Sequence, residues 1–337
     1  MRHRGITING IGAVTGDLMS AADAIRAGHY SAQQSQRNHQ DSLAVAPECT
    51  GPELAIRAGR QALRGFHRRL DLHLHATIHD PGLDFWSPNC FVADQLGVDT
   101  TMTLAVNGMS NSMVAGLELA TNVLKGQPGQ AALLTAGDTF HTPLFDRWQT
   151  DPGITYGDAG AAVLLQRDSG NDAVAELIST ASCAQPQLEG LHRGNTGWYN
   201  GNTYRRPIQL RQRKARWLAT HDGPGSLETL NAAAVSTVVK QALYDAEIEL
   251  DDLRYLLCPH YGAPLTHRHC LAPLGIPEER SSTFLASRYG HMGACDQIVG
   301  LHHLLTRRLV AAGDHIALLG IGVGMTWTAA ILRITTN

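Results

Sequence analysis

Short apolar runs that end at glycine-containing turns alternate, along the first half of this chain, with segments whose apolar residues recur at helical spacing. That cadence leaves few architectures open. An apolar strand pattern covers residues 5–14, and helical spacing follows at 21–27. Residues 52–66 form the next helical pattern, with Pro52 in the first turn and apolar positions at Leu54, Ala55, Ala58, Ala62 and Leu63. Strand patterns then occupy 70–78 and 101–106. A helix through 110–125 is marked by Val114, Leu117, Ala120, Val123 and Leu124, and it exits at the glycine-bearing stretch 126–129. A buried-type strand at 131–135 and a second at 161–165, introduced by Gly157-Asp158-Ala159-Gly160, complete the half. Strands alternating with helices across short turns predict an α/β fold.

With 337 residues the chain exceeds what one hydrophobic core usually serves, so two intimately packed halves are expected, 1–167 and 168–337, divided near the polar segment 166–172. The second half offers a helix at 227–246, an apolar strand at 255–258, a helix at 297–312 and a closing hairpin at 316–334. It repeats the cadence of the first half without any short tandem repeat. Residues 33–50 are polar and irregular. Residues 186–217 form a longer irregular stretch of the kind that often serves as a functional lid.

Composition narrows the function classes. Hydrophobic residues make up 43% and charged residues 17%, which fits a globular chain with a large interior. A net charge of -3 with scattered Lys and Arg gives no basic field for nucleic acid. No apolar run reaches the roughly 18 residues of a membrane span, and the opening residues read as a strand and not as a signal-peptide core, so a cytoplasmic location is expected. The six cysteines, Cys49, Cys90, Cys183, Cys258, Cys270 and Cys295, lack paired short spacings, and we expect reduced, mostly buried thiols. Seventeen histidines are present, but Leu72-His73-Leu74-His75 fits strand alternation and His302-His303 fits helix neighbours, so no metal site is expected.

The turn Val106-Asn107-Gly108-Met109-Ser110 joins a strand to a helix that opens with small residues. Such a turn projects a side chain at a bend, where the free amides and positive end of the following helix face it. Ser110 is therefore either a nucleophile or a plain helix N-cap on spacing alone. The string Leu319-Gly320-Ile321-Gly322-Val323-Gly324-Met325-Thr326-Trp327 is no dinucleotide loop, because only a strand follows its glycines.

Taken together, these segments resemble the ketoacyl-ACP synthase III family over nearly the whole chain, and more narrowly its actinobacterial acyltransferase branch. That branch carries Gly-Cys-Asn-Gly-Gly before a Leu-Glu-Leu-Ala helix; here Ser110-Asn111-Ser112-Met113 precedes Leu117-Glu118-Leu119-Ala120 in register, placing Ser110 on the cysteine. Ala136-Gly137-Asp138 and Gly157-Asp158-Ala159-Gly160-Ala161 match two further motifs, and the glycine string resembles the family's Gly-Phe-Gly-Gly-Gly-Phe-Thr-Trp turn. Cys258-Pro259-His260-Tyr261 looks like the counterpart of the family's Pro-His-Gln-Ala-Asn, although a lone Pro-His pair reads as structural. Where the family has Tyr-Gly-Asn, this chain has Tyr289-Gly290-His291, followed by Asp296.

The resemblance implies a thiolase fold, two similar halves forming a five-layered αβαβα sandwich, and a homodimer. It implies acyl-CoA as substrate with no permanently bound cofactor, and an acyl carrier protein as partner. Ser110 becomes the nucleophile, His260 the general base, Asp296 the orienter of a histidine, and His291 either the partner of Asp296 or a second acid/base group. The amides of Ser110 and Val323 would form the oxyanion hole. A cysteine ionises readily, with an unperturbed pKa of about 8.5. A serine needs a base at the moment of attack, and a carboxylate that holds the base, as in Ser-His-Asp enzymes, gives Asp296 a purpose.

Serine at this position, with a propionyl starter, also marks the starter-unit enzymes of daunorubicin/doxorubicin-type biosynthesis. The expected function is thus propionyl-CoA-dependent priming of a type II polyketide synthase. O- or N-acyl transfer in antibiotic tailoring, or a non-catalytic subunit of a heteromeric synthase, are the alternatives. Trp148, His192, Trp198, Arg205, Arg206, Gly322 and Gly324 are candidates for contact with substrate, while Arg211, Arg213, Lys214 and Arg216 form a candidate docking patch for an acidic carrier.

Overall fold

The computed structural model describes residues 1–124, 126, 129–168, 173–194, 207–221 and 224–336. The first half supplies strands β1 (Ile6–Thr15), β4 (Leu72–Ala76), β5 (Thr103–Val106), β6 (Ala131–Asp138) and β7 (Ala159–Arg167). The second supplies β8 (Ala175–Ala184), β9 (Leu253–Leu257), β10 (His315–Gly322) and β11 (Thr326–Ile334). All nine are hydrogen-bonded in the order β5-β4-β6-β7-β1-β8-β11-β10-β9. The ladder is thin where the halves meet, since β1 and β8 pair only through Thr7 with Glu176 and Ile8 with Ala175. A separate antiparallel pair joins β2 (Asp17–Ser20) to β3 (Ser42–Val45).

Eleven helices surround these strands among the described residues. The first half has α1 (Ala21–Arg26), α2 (Ala32–Asn38), α3 (Gly51–Ala62), α4 (Pro88–Leu96) and α5 (Ser112–Val123). The second has α6 (Gly190–Arg193), α7 (Leu210–Leu218), α8 (Pro224–Ala246), α9 (Ala263–Thr266), α10 (Thr283–Tyr289) and α11 (Asp296–Thr306). None is long and apolar enough to cross a membrane.

Sequence explains the layering. Helix α3 starts at a capping box in which Thr50 and Glu53 exchange hydrogen bonds, a device worth about 1 kcal/mol. Its Leu54, Ala55, Ala58 and Ala62 face inward, and small residues let it lie close on β1, β6 and β7 as an outer layer. Helix α8 covers β8 and β11 from the other side. Between the two groups of strands lie α5 and α11. Helix α5 touches β4 and β6 as well as β10 and β11, and α11 touches β1 and β7 as well as β9 and β10. The largest core cluster accordingly draws on both halves, with Leu74, Leu117, Leu134 and Val163 packed together with Ile298, Leu301, Leu318 and Leu332. Each such side chain contributes about 1.5–3 kcal/mol by leaving water, so the central layer binds the halves more firmly than the β1/β8 ladder does. Outer helix, strands, central helices, strands and outer helix give the five layers of a thiolase fold.

Candidate active site

The turn that carries Ser110 is held by its own side chains. Ser112 Oγ accepts the Gly108 amide at 2.8 Å and donates to the Met109 carbonyl at 2.7 Å. Met109 sits in the left-handed region with φ +52°, an arrangement that costs about 1–3 kcal/mol for a side chain of this kind and recurs at functional turns. The N-cap alternative for Ser110 is set aside, because α5 begins two residues later, at Ser112, with Asn111 in the capping position. Ser110 lies in a short 3-10 turn, Met109–Asn111, and is buried.

Ser110 Oγ is 2.8 Å from His291 Nε2, and His291 Nδ1 is 2.5 Å from Asp296 Oδ2. This is the hydrogen-bonded order of a serine triad, and it differs from the sequence expectation that His260 faces the serine. The reason lies in the backbone. His291 follows the end of α10 at Gly290, and its amide donates to the Thr155 carbonyl at 2.8 Å while its carbonyl accepts the Gly157 amide at 2.9 Å. Those two bonds fix His291 against the first half of the chain. The rings of Tyr156 and Tyr261 then flank its imidazole, with centroids at 5.3 and 5.5 Å.

Asp296, the first residue of α11, accepts the His260 amide at 2.8 Å and the Met292 amide at 2.7 Å. Burial opposes its ionisation, yet the His291 and His260 rings and these amides hold its carboxyl below the usual carboxylate range. Asp296 therefore holds a histidine, and that histidine is His291. His260, after β9, places Nδ1 3.6 Å from Asp296 Oδ1, beyond a good hydrogen bond. Both its ring nitrogens are buried without a hydrogen-bond partner. Burial keeps the ring below its ordinary pKa despite the pull of Asp296, so it rests as a neutral imidazole.

The β10–β11 turn closes the site from the second half. A Cβ on Gly322 would stand 2.2 Å from the Gly108 carbonyl, so only glycine lets β10 lie this close to the turn that carries Ser110. Asn111 Nδ2 ties the same surfaces together by donating to Thr326 Oγ1 and Thr328 Oγ1 at 3.2 and 3.0 Å.

Two cavities meet at Ser110, and Tyr156, His192 and Val323 border both. One, of about 210 Å³, runs past Asp151, Lys214, Asn231 and His269. The other, of about 400 Å³, is walled by Ile78, Phe140, Phe145, Ile208 and Leu210. Sequence reasoning pointed to neither Asp151 nor Tyr156. In the structure Lys214 pairs with Asp151 at 2.6 Å, and Tyr156 donates to the same carboxylate at 3.0 Å.

The other sequence candidates separate. His192 and Gly322 reach the cavities, whereas Trp148 packs on Tyr30 with centroids at 4.8 Å and meets neither. Trp198, Arg205 and Arg206 lie outside the described residues. The proposed docking patch is divided by α7: Arg211 and Arg216 face outward, but Lys214 and Arg213 line the two cavities. His73 and His75 are interior residues of β4, bonded to Thr103 and Thr135. Cys258, Cys270 and Cys295 are buried, but Cys90 is exposed.

Comparison with known proteins gives a consistent picture. Residues 104–185 match the family described as 3-Oxoacyl-[acyl-carrier-protein (ACP)] synthase III, and residues 243–334 match the C-terminal part of that synthase. The chain is 23% identical over 293 residues to the beta-ketoacyl-[acyl-carrier-protein] synthase III of Aquifex aeolicus (strain VF5), covering 86% of each chain. Among solved structures it resembles ChlB3, described as an acyltransferase, at 30% identity and a TM-score of 0.88, covering 99% of this chain and 98% of that one. FabH from Pseudomonas aeruginosa PAO1, at 21% identity and a TM-score of 0.77 over 98% of both chains, shares the fold.

Proposed function

We propose, on the premise that this chain belongs to the 3-oxoacyl-[acyl-carrier-protein] synthase III family of acyl-transferring enzymes, that it carries acyl groups on Ser110. The observation that carries this reading is the hydrogen-bonded series Ser110, His291, Asp296. Ser110 Oγ attacks the carbonyl carbon of an acyl-CoA as its proton passes to His291 Nε2. The new C–O bond forms, the C–S bond breaks, and the imidazolium returns the proton to the departing CoA thiolate. Asp296 holds His291 Nδ1–H and stabilises the transient cation. Backbone amides at Ser110 and Val323 receive the oxyanion.

The cavity walled by Phe140, Phe145, Ile208 and Leu210 suits the acyl group. The cavity with Asp151, Lys214 and Asn231 offers polar partners for the amides of a pantetheine arm, delivered first by CoA and then by a carrier protein. In the finer reading the acceptor is the carrier protein of a type II polyketide synthase and the acyl group is a short starter of propionyl size, transferred in the cytoplasm. His260, which lines neither cavity and whose ring nitrogens are both buried, offers a condensing step no hydrogen-bond donor. The asparagine that completes such a site is replaced by His291, which favours simple transfer over condensation. A homodimer would pair the edge of the sheet at β5, where Met102 and Leu104 are exposed.

Incubation with labelled propionyl-CoA and intact-mass measurement tests the reading. An acyl adduct is expected on the native protein and not on Ser110→Ala. An adduct that persists in Ser110→Ala, or none on either, refutes it.

A further inference from the structure

Ala136-Gly137-Asp138 has no task in the acyl transfer just described. Asp138 ends β6, is buried, and its carboxylate meets hydrogen-bond donors but no cation among the described residues. Oδ1 accepts the Ile78 amide at 2.7 Å, the Thr77 hydroxyl at 3.0 Å and the His79 amide at 3.3 Å, all from the segment that follows β4. Oδ2 accepts the Ala294 amide at 3.3 Å, from the other half of the chain. Ala294 lies in the 3-10 turn Gly293–Cys295, which joins His291 to Asp296. Gly293, at φ +63°, approaches so closely that a Cβ on it would stand 2.2 Å from Asp138 Oδ2 and 2.7 Å from Cγ.

A buried carboxylate without a cation is costly, and burial raises the Asp138 pKa above its ordinary value against the pull of the four donors. Two segments that needed only to be packed together could be joined by apolar side chains. A carboxylate does more, because its two oxygens bind donors on both sides at once. An amide has one acceptor oxygen and would turn its NH2 toward either the Ala294 amide or residues 77–79. The bonds from His291 to Thr155 and Gly157 secure the start of the triad segment. Asp138 secures its middle, two residues before Asp296, and the Cys295 thiol adds only a long contact with the Ala159 carbonyl at 3.6 Å.

We infer that Asp138 is a positioning residue for acyl transfer: it sets the Gly293–Cys295 turn and thereby holds Asp296 where that carboxylate can bind His291. The inference rests on the acyl-enzyme reading above and adds to it a carboxylate of the first half that touches no reacting atom.

The test measures adduct formation by intact mass on the full-length protein over a range of propionyl-CoA concentrations, with thermal melting alongside. Asp138→Asn is expected to lower the limiting rate about 10- to 100-fold while the half-saturating concentration stays within about threefold. Gly293→Ala pushes the same turn away from the carboxylate and should give the same split. Thr77→Val removes a donor from the opposite oxygen alone and should acylate within about threefold of the native rate. A folded Asp138→Asn that acylates within about threefold of native overturns the inference, as does a loss no larger than the fall in folded protein. Equal slowing in Thr77→Val removes the assignment to the triad turn. If Asp138→Asn does not fold, Gly293→Ala decides, with the split supporting the inference and native kinetics refuting it. A native adduct lost in Ser110→Ala, together with native kinetics in Asp138→Asn, overturns this inference alone. No adduct on the native protein overturns both readings.

Discussion

Replacing Asp296 by Asn leaves shape almost intact while removing the charge and the acceptor that the triad needs. In the native site the Asp296 carboxylate has two amide donors and one imidazole donor to satisfy. An Asn side chain can meet them with only one oxygen. If its NH2 takes the Oδ2 position, it faces His291 Nδ1 and drives the imidazole to the tautomer whose Nε2–H points at Ser110 Oγ, where a lone pair is required. If it takes the Oδ1 position, the Met292 amide loses its acceptor. Loss of the charge alone can be sized. An imidazolium and a carboxylate about 4 Å apart between charge centres attract by about 4 kcal/mol at an effective dielectric of about 20, which is roughly three decades in rate. The wrong tautomer adds to this, so acylation of Ser110 should slow by about 10³- to 10⁴-fold. Stopped acyl-CoA reactions read by intact mass give the rate directly, with thermal melting to show that the variant is folded. An Asp296→Asn protein that acylates within about tenfold of the native rate would refute the triad.

Two further outcomes are expected. Gly322→Ala places a methyl against the Gly108 carbonyl, and displacing the nucleophile turn by the order of 1 Å should cut acylation about 100-fold in a protein that still melts cooperatively; unchanged acylation would show that the close approach is dispensable. Burial holds His73 at about 4 and His75 at about 3, so the unfolded chain binds protons that the fold excludes. The stability that these residues contribute is complete well above pH 6.5 and is lost as pH falls toward the folded values, by up to about 1.4 kcal/mol per pH unit for each histidine, or roughly 3 kcal/mol for the pair between pH 6.5 and 5. Urea midpoints measured across that range should fall less steeply in a His73→Gln/His75→Gln variant, and equal slopes would remove these two histidines as the cause.

What the sequence reveals depends on how local the determinant is. Strong apolar periodicity placed α3, α5 and α8 within a few residues, and glycine turns located the strands that mount Ser110 and close on it. Strand β8 escapes such a reading because its buried positions include Ser179 and Thr180, and Ser179 is satisfied by donating to the Ala242 carbonyl. Helix α7 escapes it for the opposite reason, since only Trp217 among its residues is buried and no apolar stripe forms. Helix α11 ends at Thr306, short of the expected 312, because Arg308 adopts φ +53° where the usual glycine signal is missing. The triad was legible as a set of residues but not as a sequence of bonds. Which histidine meets Ser110 is decided by the Thr155 carbonyl and the Gly157 amide, groups that every residue carries and no motif can show.

The central helices give this site an unusual sensitivity. The serine enters at the head of α5, the aspartate at the head of α11, and each helix rests on strands of both halves. The hydrogen bonds at 2.8 and 2.5 Å are therefore also a gauge of how the two halves are aligned, and a slip of either helix by a fraction of a turn would break them before it exposed much of the core. Substitutions deep in the central layer, remote from any substrate, are then expected to slow acylation while leaving the protein folded.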